Sequence, residues 1–353
     1  MAIRGLSLVV GSPDMTMGAE LPESRSRRRA VDEGERELPC PNGWFFLALS
    51  KELAPGRVLT RRLADEDVVI YRTHDGRPHA VRPYCPHLGA HLGAGGTVRD
   101  GNLVCPFHGF AFAPDGTCAS TPDGPPPRAR LERHTIRERN GLVFVWYASD
   151  GSSPTWEIPE TAGAGVTPTA FWSTEVQAHV QELTENTLDL RHLPVVHHVR
   201  LRVLAPSRAE GPCVHTRLRL GPARPAVLRK FQLDHAFLLA GMGCLRIEQP
   251  LRPIGLVIFT WALHTPTAPG RTRLVLATAC AELHRSRFAG MSLLRRPLCR
   301  ALARVLLWIS VAQVQGDVRI WNAKRYEPRP RLAAGDESIG LYRHWVRQFY
   351  PTP

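Results

Sequence analysis

Residues 84–110 read YCPHLGAHLGAGGTVRDGNLVCPFHGF and contain two short loops of one kind. The first loop has the pattern C-x-H at Cys85 and His87, and the second has the pattern C-x2-H at Cys105 and His108. The 17 residues between the loops can form a hairpin that brings them together. Because each loop supplies one thiolate and one imidazole, the pair predicts a metal site on a small β-structure.

The ligand set indicates which metal centre is expected. Two thiolates on one iron and two imidazoles on the other are the ligands of a Rieske [2Fe–2S] cluster. Zinc sites favour C-x2-4-C with H-x3-5-H and are the weaker interpretation, as are buried Cys and His without a metal. Ala90 and Phe107 stand where respiratory Rieske proteins have additional cysteines, and Phe110 stands where they have a hydroxyl. The loops therefore resemble the low-potential cluster of oxygenases.

Short strand-like segments surround these loops from Gly43 to about Tyr147, separated by Gly, Pro and Asp turns. Examples are Trp44–Leu49, Val68–Arg72, Val104–Phe112 and Leu142–Tyr147. The stretch Ser149–Thr169 is rich in Gly, Ser, Pro and Thr and is the candidate boundary. We predict a mobile tail at 1–38, a Rieske domain at 39–150 and a catalytic domain at 151–353.

The second domain is expected to combine one antiparallel sheet with helices. Alternating segments predict strands at Arg217–Leu220, Phe237–Ala240, Gly255–His264 and Thr272–Glu282. Residues 179–192 are helix-like, and a later helix continues toward Trp321. The favoured interpretation of Leu293–Val311 is a core-facing helix with an Arg-rich outer side, with a membrane-surface helix as the alternative. No run of 18 uncharged apolar residues exists, so no spanning helix is predicted.

A second candidate metal site has the pattern Asn186-x2-Asp189-x2-His192-x4-His197. On a helix, the first three residues can face one cavity, and Pro194 then ends the helix and lets His197 return to the same metal. Two imidazoles and one carboxylate on one face of Fe(II) leave positions open for oxygen and substrate. This pattern therefore predicts a mononuclear iron site.

The third ligand of this iron must come from elsewhere, and the candidate is Asp317 in QGDVRIW near the end of the late helix. A surface acid is the alternative interpretation. His198 adjoins His197 and remains the alternative iron ligand at this position. Three other histidines are expected to be hydrogen-bonded structural residues, namely His91, His179 and His235. The residues expected in the cavity wall are Phe237, Leu239, Met242 and Phe259.

Over residues 40–350 the two motifs, in this order, resemble the α subunits of Rieske non-haem iron oxygenases. Three segments are similar to the cholesterol 7-desaturase and 3-ketosteroid 9α-hydroxylase group: HVQELTEN at 179–186, IWNAKRY at 320–326 and YRHWVRQFY at 342–350. Arg191 departs from that group, which has Ala there. The resemblance implies an α+β fold in which an N-terminal Rieske all-β domain precedes a helix-grip (START-like) catalytic domain.

The resemblance also implies roles and partners. It favours Asp317 as a ligand and places Asp189, with Asn186, in the catalytic machinery. Asp189 would connect the cluster of one subunit to the iron of its neighbour, which implies a homotrimer. The implied activity is hydroxylation or desaturation of a hydrophobic, sterol-like substrate with O2. Because no GxGxxG motif follows a strand, NAD(P)H electrons are expected through a separate ferredoxin or reductase.

Three alternatives remain open at this point. A non-sterol hydrophobic or aromatic metabolite is the main alternative substrate, by hydroxylation or oxidative cyclisation. A pure electron-transfer Rieske protein would not need the second motif or the second domain. A START-like lipid-binding protein with an inactive iron site would have both. The second motif and domain argue against the electron-transfer protein, whereas the lipid-binding protein is distinguished by an Asp189→Ala or Asp317→Ala change, which would leave its function intact.

Composition and charge restrict the remaining classes of function and location. The chain has 353 residues, a net charge of +13 and 43% hydrophobic residues, so two packed domains are expected. The charge suits an acidic ferredoxin or a membrane surface, and no nucleic-acid-binding motif is present. Eight cysteines are too sparse for a disulfide scaffold. We therefore expect the protein in the cytoplasm, a reducing compartment. Peripheral contact with a membrane surface is the alternative location.

Overall fold

The computed structural model describes residues 38–161, 166–223, 231–282 and 292–351. The predicted tail at 1–38 lies outside these ranges except for its last residue. The predicted Rieske and catalytic regions belong to one compact unit that extends from Glu37 to Pro353. The α+β fold, with antiparallel sheets throughout, is confirmed.

The Rieske region consists of short strands in three antiparallel sheets. The strands are β1 (Gly43–Leu49), β2 (Val58–Leu63), β3 (Glu66–Arg72), β4 (Pro78–Val81), β5 (Thr97–Arg99), β6 (Asn102–Val104), β7 (Ala111–Phe112), β8 (Cys118–Ser120), β9 (Arg133–His134), β10 (Ile136–Arg139) and β11 (Leu142–Tyr147). The sheets have the orders β1-β11-β10, β2-β3-β4-β9 and β5-β6-β7-β8. The first cluster loop lies between β4 and β5, which belong to different sheets, and the second lies between β6 and β7 of the β5-β6-β7-β8 sheet.

One seven-stranded antiparallel sheet forms the catalytic region, in the order β12-β18-β17-β16-β15-β14-β13. Its strands are β12 (Ala170–Val176), β13 (Val199–Glu210), β14 (Cys213–Pro222), β15 (Leu233–Ala240), β16 (Cys244–Leu251), β17 (Leu256–Ala268) and β18 (Arg271–Glu282). The four predicted segments lie in β14, β15, β17 and β18. Sequence reasoning missed β12, β13 and β16, and β13 has no buried residue to mark an apolar face.

Four α-helices accompany this sheet within the described residues, and the first two correct the expected continuous helix over 179–192. They are α1 (Val180–Glu185), α2 (His192–Val196), α3 (Ser292–Trp321) and α4 (Glu337–Trp345). Helix α1 ends at Glu185, turns follow, and α2 begins at His192. Pro194 lies inside the first turn of α2, where a missing N–H is tolerated, and so does not break a helix.

The sheet presents two different faces because side chains alternate along each strand. On β17 the odd-numbered residues, including Phe259 and Trp261, join a core that also contains Trp44 and Phe46 of β1. Thr265 Oγ1 on the same face donates a 2.6 Å hydrogen bond to the carbonyl of Phe46. The even-numbered residues face α1 and α3, and a cavity lies there. The two regions therefore share hydrophobic cores.

Helix α3 lies against β18 and β12. Thr278 Oγ1 donates a 2.8 Å hydrogen bond to the carbonyl of Ala303, and Cys280 Sγ lies 2.9 Å from Cys299 Sγ. The inner side packs Leu307, Val311, Val314 and Val318 onto the core. The prediction of a core-facing helix is thus right for one side.

The outer side of α3 differs from the predicted Arg-rich surface. Exposed Arg296, Arg300 and Arg304 share it with large apolar residues. These apolar residues are Leu298, Val305, Trp308, Ile309 and Ile320. Over Arg296–Trp321 the helix is long and apolar enough to cross a membrane by length and composition alone. The expectation of no such helix rests on uncharged runs alone, and arginines interrupt the apolar residues of this helix.

Candidate metal centres

The two cluster loops have the same backbone hydrogen bonds. In each loop the Cys N–H donates to the carbonyl five residues later, and the Gly four residues after the Cys donates back to the Cys carbonyl. The bonded pairs are Cys85–Ala90, Gly89–Cys85, Cys105–Phe110 and Gly109–Cys105, at 2.8–3.1 Å. Both glycines have positive φ, +72° and +69°, a conformation that glycine adopts without steric cost. The sequence repeat therefore produces a repeated structure.

The four predicted cluster ligands come together with thiols inside and imidazoles outside. Cys85 and Cys105 are both buried. Burial, together with the neighbouring Cys105 thiol, raises the pKa of Cys85 to about 11. The His87 and His108 rings are 4.7 Å apart at 74° and line an open groove. Paired thiols and paired imidazoles fit the two irons of a Rieske cluster.

Exposed apolar side chains surround this imidazole pair. Tyr84, Leu88 and Phe107 are each more than 60% exposed. The Phe107 ring lies 3.8 Å from the His108 ring, centroid to centroid. Three large apolar side chains are therefore exposed beside the imidazole pair.

The second set of predicted ligands is brought together by α2 and α3. His192 begins α2, and His197 is its C-terminal cap residue; their ring centroids are 5.1 Å apart. Asp317 lies on α3, and one ligand atom from each of these three residues lies within 4.8 Å of the others. A Cβ at Gly316 would lie 3.1 Å from Val196 Cγ1, so glycine lets α3 approach α2.

Local hydrogen bonds orient His192 for metal binding. Its Nδ1 is hydrogen-bonded to the backbone carbonyl of Asp189, which leaves Nε2 for a metal. Asn186 Nδ2 lies 3.2 Å from that Nε2. Burial lowers the pKa of His192 and keeps the ring neutral, the form that binds metals. Asp189 Oδ1 accepts from the N–H groups of Arg191 and His192, and its side chain is 31% exposed.

The other histidines are placed as follows. His198 is exposed with φ +54°, whereas His197 joins the ligand cluster. His91 Nε2 lies 3.2 Å from Asp67 Oδ2, as expected of a structural residue. His179 caps α1, because its Nδ1 accepts from the Gln181 N–H. His235 is also hydrogen-bonded, but it lines the cavity, which sequence reasoning did not anticipate.

The cavity beside the three metal-type ligands has a volume of about 200 Å³. Its walls are the even face of β17, neighbouring strands and the helices α1, α2 and α3. Of the four expected wall residues only Phe237 lines it. Phe259 points to the opposite face, and Leu239 and Met242 lie in the core. A larger groove of about 600 Å³ lies in the Rieske region and contains none of the predicted ligands.

A hydrogen-bond network that sequence reasoning did not predict anchors α1. Gln181 Nε2 donates to Tyr326 Oη at 3.1 Å, Tyr350 Oη donates to Gln181 Oε1 at 2.7 Å, and Tyr342 Oη donates to the Gln181 carbonyl at 2.8 Å. Arg343 also forms an ion pair with Glu185. The segments 179–186, 320–326 and 342–350, noted for their resemblance, therefore meet next to Asn186. The resemblance of all three segments to one group of enzymes was the available signal.

Two family models match successive parts of the chain. The Rieske [2Fe-2S] domain matches residues 43–135, and the 3-ketosteroid 9alpha-hydroxylase C-terminal domain matches residues 145–350. The chain is 31% identical to a cholesterol 7-desaturase of Xenopus laevis, over 92% of this chain and 74% of that protein. It is 30% identical to cholesterol 7-desaturase 1 of Ciona intestinalis, over 92% and 71%. The exact domain boundaries stay predictions.

Two further comparisons are more limited: one covers half of the chain, and the other shows only the fold. The oxygenase component of a Rhodococcus rhodochrous 3-ketosteroid-9-alpha-monooxygenase is 31% identical over 50% of this chain and 49% of that protein. Apo dicamba monooxygenase has a TM-score of 0.64 at 20% identity, covering 88% of this chain and 97% of that one. The matched domains and relatives show that the chain belongs to the Rieske-type oxygenases that include the cholesterol 7-desaturases and the 3-ketosteroid 9α-hydroxylases.

Proposed function

We propose that this protein hydroxylates or desaturates a sterol- or steroid-like substrate, using O2 and electrons derived from NAD(P)H. One observation carries the proposal: His192, His197 and Asp317 converge on the wall of a mainly apolar cavity, in a chain that also has a Rieske domain. The relatives named for cholesterol and for 3-ketosteroids support this class of substrate.

We assign the metals to the two sets of residues described above. Cys85, His87, Cys105 and His108 hold the [2Fe–2S] cluster, and His192, His197 and Asp317 hold Fe(II). The cluster stores and transfers single electrons, and the mononuclear iron supplies oxygen activation. The cavity residues bind and orient the apolar substrate and exclude bulk water. We place Asn186 and Asp189 beside the iron ligands as the residues that orient His192.

A homotrimer is part of the proposal. Asp189 is partly exposed, its carboxylate accepts from the His192 backbone N–H, and its Oδ2 lies 3.8 Å from His192 Nδ1. The imidazoles His87 and His108 lie beside exposed apolar side chains. Docking of that surface on the Asp189 side of a second subunit would cover both. The carboxylate would then connect an imidazole of one subunit to His192 of the next.

The electrons are proposed to arrive from a separate ferredoxin or ferredoxin reductase. The net charge of +13 favours an acidic electron carrier, because opposite charges accelerate association. The groove beside His87 and His108 would also accept such a carrier when it is free.

We place the protein in the cytoplasm, in contact with a membrane surface through the outer side of α3. Exposed Trp308, Val305 and Leu298 on that side can enter the interface, and Arg300 and Arg304 can contact anionic lipid headgroups. The inner side of α3 carries Asp317 and packs on the sheet, so surface binding fits the fold better than spanning. A sterol dissolved in the membrane would then be close to the cavity.

The cavity volume favours a second candidate. About 200 Å³ is below the roughly 300–1,000 Å³ of pockets that hold drug-sized ligands. A smaller aromatic metabolite would fit without rearrangement, whereas a sterol requires the cavity to enlarge.

Product mass distinguishes these functions. Iron-loaded protein, a ferredoxin, its reductase and NADH are incubated with cholesterol, a 3-ketosteroid and small aromatic compounds. Loss of two hydrogens from the sterol establishes desaturation, and gain of one oxygen establishes hydroxylation. The Asp317→Ala protein is the negative control. Turnover confined to the aromatic compounds, with cluster reduction verified, would refute the sterol assignment.

A further inference from the structure

The cavity wall that the sheet contributes is almost entirely apolar. The apolar wall residues of the sheet are Leu218, Leu220, Phe237, Leu245, Ile247, Ala262, Leu274 and Leu276. Four polar side chains interrupt this wall, namely His235, Gln249, Thr260 and His264. In pockets of this kind, the few polar groups determine how a mainly apolar ligand is oriented.

Of these four, His264 has an unused hydrogen-bonding atom. Its side chain is buried, with the whole residue 3% exposed, and its backbone N–H donates to the carbonyl of Gly243 at 3.0 Å. Its Nδ1 is inaccessible in this structure and has no hydrogen-bond partner in the described part of the chain, so a rotation of the ring about χ2 is needed to turn this atom toward the cavity. Proteins leave few buried polar atoms in that state, so each one needs a cause.

His235 provides an internal comparison. It lines the same cavity and is similarly buried, but its Nδ1 lies 2.9 Å from the carbonyl of Leu233 and its ring stacks on Phe237. The protein therefore satisfies Nδ1 of His235 internally and leaves Nδ1 of His264 without a partner among the described residues. Burial lowers the pKa of His264 to about 4, so its ring is neutral at physiological pH.

His264 also has a suitable position. It lies on the sheet, in β17, whereas the three metal-type ligands lie on α2 and α3. The sheet and the helices are different walls of one cavity. A ligand held at His264 would therefore extend between the sheet and the helices that carry the metal-type residues.

We propose that His264 hydrogen-bonds the single oxygen function of the polycyclic substrate, a hydroxyl or a carbonyl, and so determines which carbon faces the iron ligands. A neutral imidazole can accept from a hydroxyl or donate to either group. The inference rests on the proposed function, because it assumes an apolar substrate with one polar end. His264 would be a positioning residue and a determinant of substrate specificity.

Binding of a matched pair of sterols tests the assignment. Cholesterol and cholest-5-ene, which lacks only the hydroxyl, are delivered in cyclodextrin to the holoenzyme. Binding is followed by quenching of tryptophan fluorescence, since Trp321 lines the cavity. The wild-type protein should bind cholesterol about tenfold or more tightly than cholest-5-ene. In His264→Leu this preference should disappear, and His264→Gln, which keeps a donor and an acceptor, should restore part of it.

Two measurements separate this role from a structural one. His264→Leu should unfold at the same or a higher temperature at pH 7, because it removes an unpartnered buried polar atom. It should also convert cholesterol into a broader mixture of positional products. A preference in His264→Leu equal to that of the wild type, or equal wild-type affinity for both sterols, would overturn the inference and leave the proposed function intact. Failure of the wild type to bind either sterol would instead refute the proposed function.

Discussion

The Nε2 atom of His197 lies 3.3 Å from Oδ2 of Asp317, although 120 positions separate the two residues in the chain. Both side chains are only 9% exposed. A buried carboxylate is unfavourable unless a positive charge compensates it. A divalent metal bound by this pair and His192 would provide that charge, and the site is therefore expected to depend on the metal.

Replacing Asp317 should remove one metal and spare the other. In Asp317→Asn the iron content should fall from about three to about two atoms per chain, because the cluster ligands lie on separate loops in the Rieske region. Metal analysis and the visible absorption of the cluster measure the two sites separately. Asp100→Asn, on an exposed turn with φ +48°, is the matched control and should keep all iron. Loss of the cluster in Asp317→Asn would contradict separate sites.

Subunit complementation tests whether electrons cross between chains. Cys105→Ser should lose the cluster and Asp317→Asn the mononuclear iron, so each alone should be inactive. When the two are coexpressed, mixed trimers should recover a substantial part of the activity, because the proposed arrangement lets the cluster of one chain serve the iron of the next. Tagged subunits allow mixed trimers to be isolated. Inactivity of such mixed trimers would show that each chain uses its own cluster.

Acid should destabilise the protein through His264. Its pKa is about 4 in the folded protein and about 6.5 when unfolded, so the unfolded chain binds more protons in between. The free energy of unfolding should therefore fall as pH decreases from 6.5 to 4, by about 3 kcal/mol from this residue. Thermal unfolding at several pH values measures the effect. His264→Leu should lose less stability over this pH range. If its pH dependence equalled that of the wild type, the acid destabilisation would not come from His264.

Oxidation should link α3 to β18. The sulfur atoms of Cys280 and Cys299 are 2.9 Å apart, so a disulfide needs little movement. Burial raises the pKa of the Cys280 thiol, and the reaction should be slow at pH 7 and faster at higher pH. Mass spectrometry after treatment with oxidised glutathione detects the linked peptides. Cys280→Ser should abolish this link. If Cys299 formed disulfides only with other cysteines, α3 would not lie against β18 as described.

Anionic vesicles should recruit the protein through α3. Flotation with phosphatidylserine-containing vesicles is expected to carry the wild type upward, and neutral phosphatidylcholine should carry less. Trp308→Ser should weaken binding to both vesicles, whereas Arg300→Gln should weaken mainly the binding to anionic vesicles. Arg62→Gln, a basic residue of the Rieske region with two acidic partners, is the control. Equal flotation of all variants would place the contact outside this helix.

The metal-type sites were the most predictable part of the structure. Their residues lie close together in sequence, as do those from Cys85 to His108, and the loop geometry follows from the repeated C-x-H and C-x2-H patterns. Asp317 needed the resemblance, because no local pattern connects it to His197. The ligand roles themselves stay predictions that the metal analysis above addresses.

The parts that were missed depend on long-range packing. The continuous helix over 179–192 was wrong because the residues after Glu185 turn to place Asp189 against His192. Phe259 was assigned to the cavity although strand alternation puts it on the face opposite His264. The apolar outer side of α3 could not be separated from its inner side without knowing which residues pack on β18.

The contact of Phe46 and Trp44 with the odd face of β17 has a consequence for how such a chain can change over evolution. A Rieske region that ended at its own surface could be exchanged between enzymes as an independent module. Here Trp44 and Phe46 of β1 form part of the hydrophobic core of the catalytic sheet. A Cβ at Gly243 would lie 2.1 Å from the Trp44 carbonyl oxygen, so the two backbones are also in close contact. A transplanted Rieske region would therefore have to bring its partner sheet with it, and the two are expected to be inherited together.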